Sequence, residues 1–576
     1  MKVMNIHDAF PILELEKLTG KGGKIEWKDI DWKKANRHVR RLQNSIAKCS
    51  EYGNYAKMWK LQKELFNSYS AKIIGIRKVT QDNQGRRTSG VDGVKNVTPK
   101  QRIKMIDDCK ISGEWKQVRQ IEIPKKSGKI RTLGIPTLKD RARQAVMKLG
   151  LEPAYEAKAE SNSYGFRPGR SAKDAIQAIF NDIRSKERWV VEGDLKGFFD
   201  NIKPEAMLDN NLVKGNTNLE NAIKKLINSG AISVKGKEIT TDKGTPQGGV
   251  ISPLLANIAF MGLETFVKEW AWENRKQLEI KGKRDIDIHV VVYADDFIVV
   301  TKHKWIAEAL KEAIRSWCQD KMDVEHCEEK TKITSTIEGF DFLGFNIRHY
   351  DVNGKIKTLI KPTKDSIKRV KEKIRVICKT GRGLSQEVII RELNSVIRGW
   401  GMYYRSVVSK ETFSQIDHYT FECIWKWATK RHSNKGRKWV KDKYFKHEGK
   451  RDWVFKTESG ETLLSMSSIV IKRHIKVVGK HHVYDGNAKY WNTKTLRDLE
   501  STHSGRSMND MSKLFKKQNG CCNLCKLKLE HDHKLEIDHI IPKTLGGKDI
   551  ITNYQLLHNW CHHTKTSKDG SLQKKQ

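Results

Sequence analysis

The first pattern in the chain is a helical repeat of apolar residues. Val39, Leu42 and Ile46 follow one another at intervals of three and four positions, which places their side chains on one face of a helix. The polar positions between them carry many Lys and Arg residues. We therefore predict a basic helical extension over residues 1–80, whose charged face is either only solvated or faces RNA.

A different pattern begins after this extension. Short runs of β-branched and aromatic residues alternate with helical segments, which predicts an α/β region over residues 81–355. We expect its strands to lie in one antiparallel sheet. The clearest strand-like runs are Val118–Pro124, Trp189–Asp194, Val290–Thr301 and Phe342–Ile347.

Three further regions complete the chain. Residues 356–445 carry helical stripes such as Val370 and Ile374, which predict a small basic helical domain. Residues 446–517 are polar and weakly patterned, so we expect a linker-rich accessory region there. Residues 518–576 concentrate Cys and His in a compact module. Together these patterns predict a multidomain α+β protein.

Charge gives the first indication of a partner. A chain of 576 residues is too long for one core, and its 110 Lys and Arg against 69 Asp and Glu give a net charge of +41. A polyanion partner fits this excess, because each phosphate that a cation neutralises releases a counterion. The plain alternative is a basic structural or ribosomal protein, which the length and the 16 Trp residues disfavour. A membrane surface is a weaker alternative.

The number of cysteines and the length of the apolar runs indicate the cellular compartment. Ten Cys residues are too few for a disulfide scaffold in a chain of this length. The first residues lack the long apolar core of a signal peptide, and no apolar run approaches a membrane helix. We therefore expect an intracellular protein with no membrane partner, in the bacterial cytoplasm or nucleoid or in an organelle matrix, and not a secreted one.

Two adjacent acids stand between two apolar runs. The sequence from His289 to Thr301 reads HVVVYADDFIVVT, which predicts a β-hairpin with Asp295 and Asp296 at its turn. An earlier strand-like run ends in Asp194. Two divalent ions that clamp the attacking and leaving oxygens of a phosphoryl transfer need carboxylates from separate elements. The three acids therefore predict a nucleotide polymerase site.

Two polar loops carry residue types that suit this chemistry. Lys125 and Arg131 flank a turn between strand-like runs, and such cations can neutralise an incoming triphosphate. Gln247 stands in the stretch GTPQGG, whose glycines let the backbone approach a ligand and whose amide could contact a base or primer. Taken alone, each stretch is an ordinary loop.

The order of these motifs resembles the reverse transcriptases of group II intron-encoded proteins. The resemblance covers residues 90–348 and rests on a whole set of stretches rather than on the acids alone. The matching stretches are GVDGV (90–94), IPKKSGKIRTLGIPTLKDR (123–141), SYGFRPGRSAKDAI (163–176), EGDLKGFFDNI (192–202), GTPQGGVISPLLANI (244–258), YADD (293–296), EEKTKI (328–333) and GFDFLGF (339–345).

This resemblance implies a right-hand fold with fingers and palm that makes DNA on an RNA template. Asp194, Asp295 and Asp296 would hold two Mg²⁺ ions. Lys125 and Arg131 would face the triphosphate of the dNTP, and Gln247 would lie in the same nucleotide site.

The same resemblance assigns selectivity and template contacts. Phe199 would block a ribose 2′-hydroxyl and so favour dNTPs, although the adjacent Phe198 leaves a second candidate. Tyr164 and Arg167, in the stretch YGFR, would line the path of the template.

The predicted helical domain resembles the α-helical maturase thumb, also called domain X. The matching stretch is LNSVIRGWGMYY (393–404). Arg398 and Tyr403 would contact RNA through phosphate and by stacking, although the aromatic residues could simply form a core. The family function is binding of the parent intron RNA to assist its splicing.

Two cysteine and histidine pairs predict a structural zinc site. Cys522 and Cys525 form a CxxC pair, and His558 and Cys561 form an HxxC pair. Four such ligands match tetrahedral Zn²⁺. Cys521 offers a competing register, which the CxxC spacing disfavours.

The residues between and after these pairs resemble an HNH endonuclease, a ββα-metal domain. The resemblance makes His539 the general base for a water. Asp538 and His562 would hold a divalent ion, with His563 as the alternative ligand, and Asn553 would orient the loop of His539. A zinc-stapled DNA-binding finger without catalysis is the plain alternative.

Taken together, these features predict a multifunctional group II intron protein. It would polymerise DNA on RNA, assist splicing and nick DNA in target-primed reverse transcription, with intron RNA, target DNA and dNTPs as partners. The target DNA would lie against residues 446–517, the expected DNA-binding region. The alternatives are an RNA-binding splicing cofactor without polymerase activity and a protein that is chiefly an HNH homing nuclease.

Overall fold

The structure is a computed structural model. It describes residues 26–124, 130–184, 186–449, 451–502, 506–530 and 533–569.

Residues 1–25 of the predicted N-terminal extension lie outside the described residues, and from residue 26 onward four α-helices precede the first strand. Asp31, Asn54 and Ser68 each cap a helix, because their side chains accept the main-chain N–H three residues further on. The apolar faces of these helices join the core that lies under the palm. The helices are α1 (Trp32–Glu51), α2 (Tyr55–Asn67), α3 (Tyr69–Arg77) and α4 (Pro99–Asp108).

The fingers contain a small sheet of their own. Strand β1 (Val118–Pro124) pairs antiparallel with β2 (Ile130–Ile135). On its other side β1 pairs parallel with the short β4 (Ala231–Ile232), which continues antiparallel into β5 (Glu238–Ile239). The expectation of one antiparallel sheet was therefore wrong, because the strands divide into separate sheets and one pair is parallel.

The palm is a four-stranded antiparallel sheet. Its strands lie in the order β6 (His289–Tyr293), β7 (Asp296–Thr301), β3 (Trp189–Asp194) and β8 (Lys332–Ser335). Val190 and the next residue along β3 are both fully buried, so the sheet has an apolar core on each face. Both central strands follow the predicted runs.

Helices cover the palm and connect it to the fingers. The longest of them, α5 and α12, belong to the core shared with the N-terminal helices, whereas α6 belongs to the core shared with the thumb. These helices are α5 (Leu138–Glu156), α6 (Ala172–Ile183), α7 (Phe198–Asn201), α8 (Pro204–Leu208), α9 (Thr217–Ile227), α10 (Ser252–Phe260), α11 (Leu263–Glu273) and α12 (Lys304–Met322).

A three-stranded sheet leads into the helical thumb. The predicted strand Phe342–Ile347 is interrupted, since Leu343 and Gly344 have φ values of 49° and 83° and form a turn. The strands are β9 (Phe340–Phe342), β10 (Phe345–Val352) and β11 (Lys355–Pro362). The thumb helices are α13 (Lys364–Thr380), α14 (Gln386–Tyr404) and α15 (Lys410–Arg431).

The accessory region has more structure than its polar sequence indicates. After α16 (Arg437–Tyr444), strands β12 (Phe445–Glu448) and β13 (Arg451–Phe455) form a hairpin. An extended segment crosses α6 and leads to α17 (Ala488–Thr502) and α18 (Arg506–Lys517).

The C-terminal module has a ββα architecture with its own apolar core. Strands β14 (Leu535–His539) and β15 (Tyr554–His558) pair antiparallel, and α19 (Asn559–Thr566) follows directly. Among the described helices, none has the length and apolar character needed to cross a bilayer.

Candidate active sites

Strand register brings the three predicted polymerase acids together. Asp194 ends β3 and lies directly opposite Asp296, the first residue of β7. Asp295 precedes it in the tight turn from β6, where Ala294 takes the left-handed conformation with φ of 58°. Three carboxylates from two adjacent strands therefore converge at one end of the palm sheet.

The electrostatics of this cluster suit a bound cation. Burial, and then the charges of Asp295 and Asp194, raise the pKa of Asp296 to about 7. Burial and the charge of Asp194 likewise raise the pKa of Asp295. Lys330 Nζ lies 2.7 Å from Asp194 Oδ2 and offsets part of the negative charge. A cluster of partly uncompensated carboxylates is a suitable ligand set for Mg²⁺.

The stretch YGFR (164–167) packs against the turn that carries Asp295. Tyr164 N donates to Val292 O at 2.9 Å, and Asn257 Nδ2 donates to Gly165 O at 2.8 Å. The Cα of Gly165 lies so close to the turn that a Cβ would come within 2.3 Å of Ala294 N.

The predicted template contacts of Tyr164 and Arg167 do not fit their positions. Tyr164 is 1% exposed, and Arg167 is 4% exposed because it forms a buried ion pair with Glu156 at 2.9 Å. Both side chains thus hold the segment together rather than facing solvent. Phe166, which lies between them and is 51% exposed, is the side chain of this stretch that can reach a nucleic acid.

The structure distinguishes the two candidate selectivity residues. Phe198 is 2% exposed and packs against Phe260 in the core. Phe199 is only partly buried, and its ring lies 6.3 Å from that of the exposed Phe166. Phe199 is therefore the candidate that can meet a nucleotide.

The structure describes the predicted nucleotide-binding loops in part. Arg131 is exposed on β2, and its charge offsets part of the rise that burial causes in the pKa of Asp295. Gln247 O accepts from Gly134 N at 2.9 Å, so the glycine-rich loop packs against the same strand. Lys125 lies outside the described residues.

The two predicted RNA contacts of the thumb differ in exposure. Arg398 is exposed on α14 and is accessible to RNA. Tyr403 is partly buried, because its hydroxyl donates to Leu343 O at 3.0 Å and its ring stacks on Phe345. Tyr403 therefore joins the thumb to the preceding sheet, and RNA stacking on this ring stays a prediction.

The predicted zinc ligands form one cluster. The ligand atoms of Cys522, Cys525, His558 and Cys561 all lie within 4.8 Å of one another. Hydrogen bonds from the neighbouring thiols hold the pKa of Cys522 well below its usual range. His558 Nδ1 faces the thiols, and Nε2 lies 3.0 Å from the carbonyl of Lys528, a pairing typical of metal-bound histidine. Cys521 lies outside the cluster, so these donors fit Zn²⁺ in the predicted register.

The nuclease residues lie at the adjoining end of β14. His539 Nε2 is 2.7 Å from Asp549 Oδ1. Asn553 Oδ1 accepts from Ile541 N at 2.9 Å, and its Nδ2 donates to Ile541 O at 3.1 Å. Asn553 thus holds the loop that follows His539, and its role in orienting His539 for catalysis stays a prediction.

The two predicted ligands of the nuclease ion are also neighbours. His562 Nε2 lies 3.4 Å from Asp538 Oδ1, and its other ring nitrogen lies 2.5 Å from Glu536 Oε2. His563 is exposed on α19. His562 is therefore the better placed ligand, and an imidazole beside two carboxylates fits a divalent ion.

Sequence patterns assigned no role to several residues of these sites. Lys330, Glu536, Asp549, Gln555 and Lys565 all contact a predicted catalytic or ligand residue. Their residue types are common on protein surfaces, and the register of β14 against β15 would have been needed to find Gln555.

Four family profiles match successive parts of the chain. The N-terminal domain of reverse transcriptase matches residues 27–109. Reverse transcriptase (RNA-dependent DNA polymerase) matches residues 123–347. The group II intron, maturase-specific domain matches residues 367–445, and HNH endonuclease matches residues 522–568.

Individual proteins show the same relationship. Protein YkfC of Escherichia coli (strain K12) is 32% identical over 302 residues, which cover 47% of this chain and 78% of YkfC. The group II intron-encoded protein LtrA of Lactococcus lactis subsp. cremoris is 31% identical over 354 residues, 50% of this chain and 59% of LtrA. An uncharacterized 91 kDa protein in the cob intron of Schizosaccharomyces pombe is 27% identical over 371 residues, 53% of this chain and 46% of that protein. The chain belongs to the group II intron-encoded proteins, in which a reverse transcriptase and a maturase domain are joined here to a C-terminal HNH endonuclease domain.

Proposed function

We propose that this protein copies its parent intron RNA into DNA from a primer that its own nuclease releases, and that it assists the splicing of that RNA. The observation that carries the proposal is the convergence of Asp194, Asp295 and Asp296 in strand register. The same chain carries His539 next to Asp538, in the module that contains the predicted zinc ligands.

The polymerase step follows from the surroundings of the acids. Two Mg²⁺ ions bound by the three carboxylates would activate the primer 3′-hydroxyl and stabilise the leaving pyrophosphate. Arg131 would bring positive charge toward the triphosphate, and so would Lys125, which lies outside the described residues. Phe199, which is partly buried beside the exposed Phe166, would block a ribose 2′-hydroxyl, so dNTPs would be the preferred substrates.

The nuclease step follows from the contacts of His539. Its Nε2 is held by Asp549, which leaves Nδ1 as the ring atom available to take a proton from water. A divalent ion beside Asp538 and His562 would neutralise charge on the scissile phosphate. Asn553 keeps the loop of His539 in place while the proton moves.

RNA binding is assigned to the thumb and the N-terminal helices. Both are rich in Lys and Arg, and Arg398 is exposed on the thumb. Contacts of these cations to phosphate would position the intron RNA without reading its sequence. Residues 446–517 carry further basic and aromatic side chains for target DNA.

A reconstituted particle tests the coupling of these steps. The protein is combined with the transcript of the intron that surrounds its reading frame, and with a duplex of the joined flanking exons and labelled dNTPs. Wild type is expected to splice the transcript, nick the duplex and extend the cut strand. Asp295→Ala with Asp296→Ala should splice and nick without making cDNA, and His539→Ala should extend only a duplex nicked beforehand.

Each alternative gives a different result in the same assay. A splicing cofactor without polymerase activity would splice without incorporating dNTPs even as wild type. A protein that is chiefly a homing nuclease would nick in the absence of RNA and would not splice. Either result would reject the proposal.

A further inference from the structure

The two carboxylate oxygens of Asp538 have different surroundings. Oδ2 accepts Gln555 Nε2 at 2.9 Å and lies 3.1 Å from Lys565 Nζ. Oδ1 lies 3.4 Å from His562 Nε2. Two protein donors therefore occupy Oδ2, whereas Oδ1 is the oxygen on the side of the histidine.

Gln555 is fixed at both ends of its amide. It lies on β15 directly opposite Asp538 and is 5% exposed. While Nε2 donates to Asp538, Oε1 accepts Asn523 Nδ2 at 2.9 Å. Asn523 stands between the zinc ligands Cys522 and Cys525, so the amide connects the zinc loop to the nuclease carboxylate.

Lys565 contacts the same carboxylate oxygen from a different element. It lies on α19, and its Nζ also donates to His539 O at 2.8 Å and to Asp569 Oδ2 at 2.5 Å. Its side chain is mostly buried. One residue of β15 and one of α19 thus hold Asp538 Oδ2, whereas Oδ1 is the oxygen beside His562.

We propose that Gln555 is a positioning residue of the nuclease centre. It holds Asp538 Oδ2, with Lys565, so that Oδ1 alone is presented to the divalent ion beside His562. This inference rests on the proposed nuclease function. Partners that orient a metal ligand in this way typically change metal affinity by about 10–100-fold when they are removed.

Mn²⁺ binding to the full-length, zinc-loaded protein tests this role. The background carries Asp295→Ala and Asp296→Ala, so that the polymerase acids no longer bind the ion. Free Mn²⁺ is followed by electron paramagnetic resonance during a titration. Gln555→Met removes the amide at similar volume, and we expect Mn²⁺ to bind at least about 10-fold more weakly with zinc content unchanged.

A second readout separates positioning from catalysis. Nicking by Gln555→Met should recover at high Mn²⁺, because the ion still reaches its remaining ligands. Nicking by His539→Ala should stay absent at every Mn²⁺ concentration, because the base is missing. The matched control is Gln518→Met, whose native amide contacts only main-chain atoms of Cys521 and Leu556 in the same module. Its Mn²⁺ affinity should equal that of the background.

The outcomes are distinguishable. If the background protein binds no Mn²⁺, the proposed nuclease centre itself fails. If the background binds Mn²⁺ and Gln555→Met binds it equally well, the positioning role of Gln555 is overturned. If Gln555→Met loses zinc, Gln555→Glu decides the matter, since it keeps Oε1 for Asn523 and sets a carboxylate oxygen, which cannot donate when ionised, against Asp538 Oδ2. Unchanged affinity in that variant would also overturn the proposal.

Discussion

Gly165 shows how a single residue fixes the position of the polymerase acids. A Cβ at this residue would lie 2.3 Å from Ala294 N and 2.9 Å from Tyr293 C. Both are main-chain atoms, which cannot rotate away as a flexible side chain could. Ala294 already occupies the left-handed region, so the turn has little freedom to shift.

Gly165→Ala is therefore expected to slow polymerisation. The added methyl group would displace the turn and spoil the geometry of Asp295 and Asp296, and we predict at least about a 10-fold loss of dNTP incorporation. Steady-state primer extension measures the loss, and nicking in the same preparation should be unchanged. The control is Gly436→Ala, because no atom lies within 4 Å of its added Cβ. Full activity of Gly165→Ala would contradict the packing argument.

The zinc register gives a second prediction at this scale. Cys522→Ser should lose bound zinc and nicking, since one of four ligands is removed. Cys521→Ser should keep both, because Cys521 lies outside the cluster. Zinc content by mass spectrometry and a nicking assay check this, with polymerase activity as the internal control. Loss of zinc from Cys521→Ser alone would reverse the assigned register.

Site residues with specific chemistry were visible in the sequence, whereas their supports were not. Asp194 and the zinc ligands stand in motifs whose spacing follows from metal geometry. Gln555 and Lys330 act through contacts that depend on strand register and on distant segments. Arg167 was assigned to the template path by resemblance alone, and its burial against Glu156 depends on a contact that the motif does not reveal.

At the scale of elements, an extended segment fastens the accessory region to the palm. Asp174, at the start of α6, receives Val477 N at 2.8 Å and lies 3.1 Å from His474 Nε2. Lys494 Nζ lies 3.7 Å from the same carboxylate oxygen, Asp174 Oδ1. Burial alone would raise the pKa of Asp174, but these hydrogen bonds and charges hold it well below its usual range.

Asp174→Asn should weaken this attachment. Breaking a buried ion pair costs about 3 kcal/mol or more, so the variant should unfold at a lower temperature or a lower urea concentration than wild type. The native pKa of Asp174 lies below its unfolded value, so its contribution is complete at neutral pH and declines as the pH falls below about 4. The difference from wild type should therefore shrink in acid. A difference that grows in acid would contradict the assignment.

The individual elements were easier to predict than their arrangement. The runs at Val118–Pro124 and Trp189–Asp194 are strands with the predicted bounds. An alternation of apolar and polar residues indicates a strand but not the strand with which it pairs. The placement of these two strands in separate sheets could therefore not be predicted from the sequence. The turn at Leu343 and Gly344 was missed because a single glycine within an apolar run is also compatible with a continuous strand.

At the scale of the whole molecule, the nuclease module docks on the N-terminal helices. Arg40 on α1 pairs with Glu530, and its Nε lies 3.0 Å from Glu530 Oε1. The guanidinium of Arg77 lies 4.4 Å from the ring of Trp32 and 4.8 Å from that of Trp560. Trp560 stacks on His558, one of the predicted zinc ligands, so this contact reaches the Cys/His cluster itself.

Arg40→Glu should loosen this docking. Two carboxylates would then face each other, and we expect faster amide hydrogen exchange in α1 and in the nuclease module. The reciprocal change Glu530→Arg in the same chain should restore protection by re-forming the pair. Zinc content and nicking of short duplexes should stay unchanged in both variants. Equal exchange in wild type and Arg40→Glu would show that the pair does not hold the module.

The central claim is that Asp194, Asp295 and Asp296 form a DNA polymerase centre. Its most direct test is dTTP incorporation on poly(rA)/oligo(dT) by wild type and by Asp295→Ala with Asp296→Ala, purified in parallel. We predict incorporation by wild type and none above background by the variant, which should keep its zinc content and nicking activity. Incorporation by the variant at the wild-type rate would contradict the account.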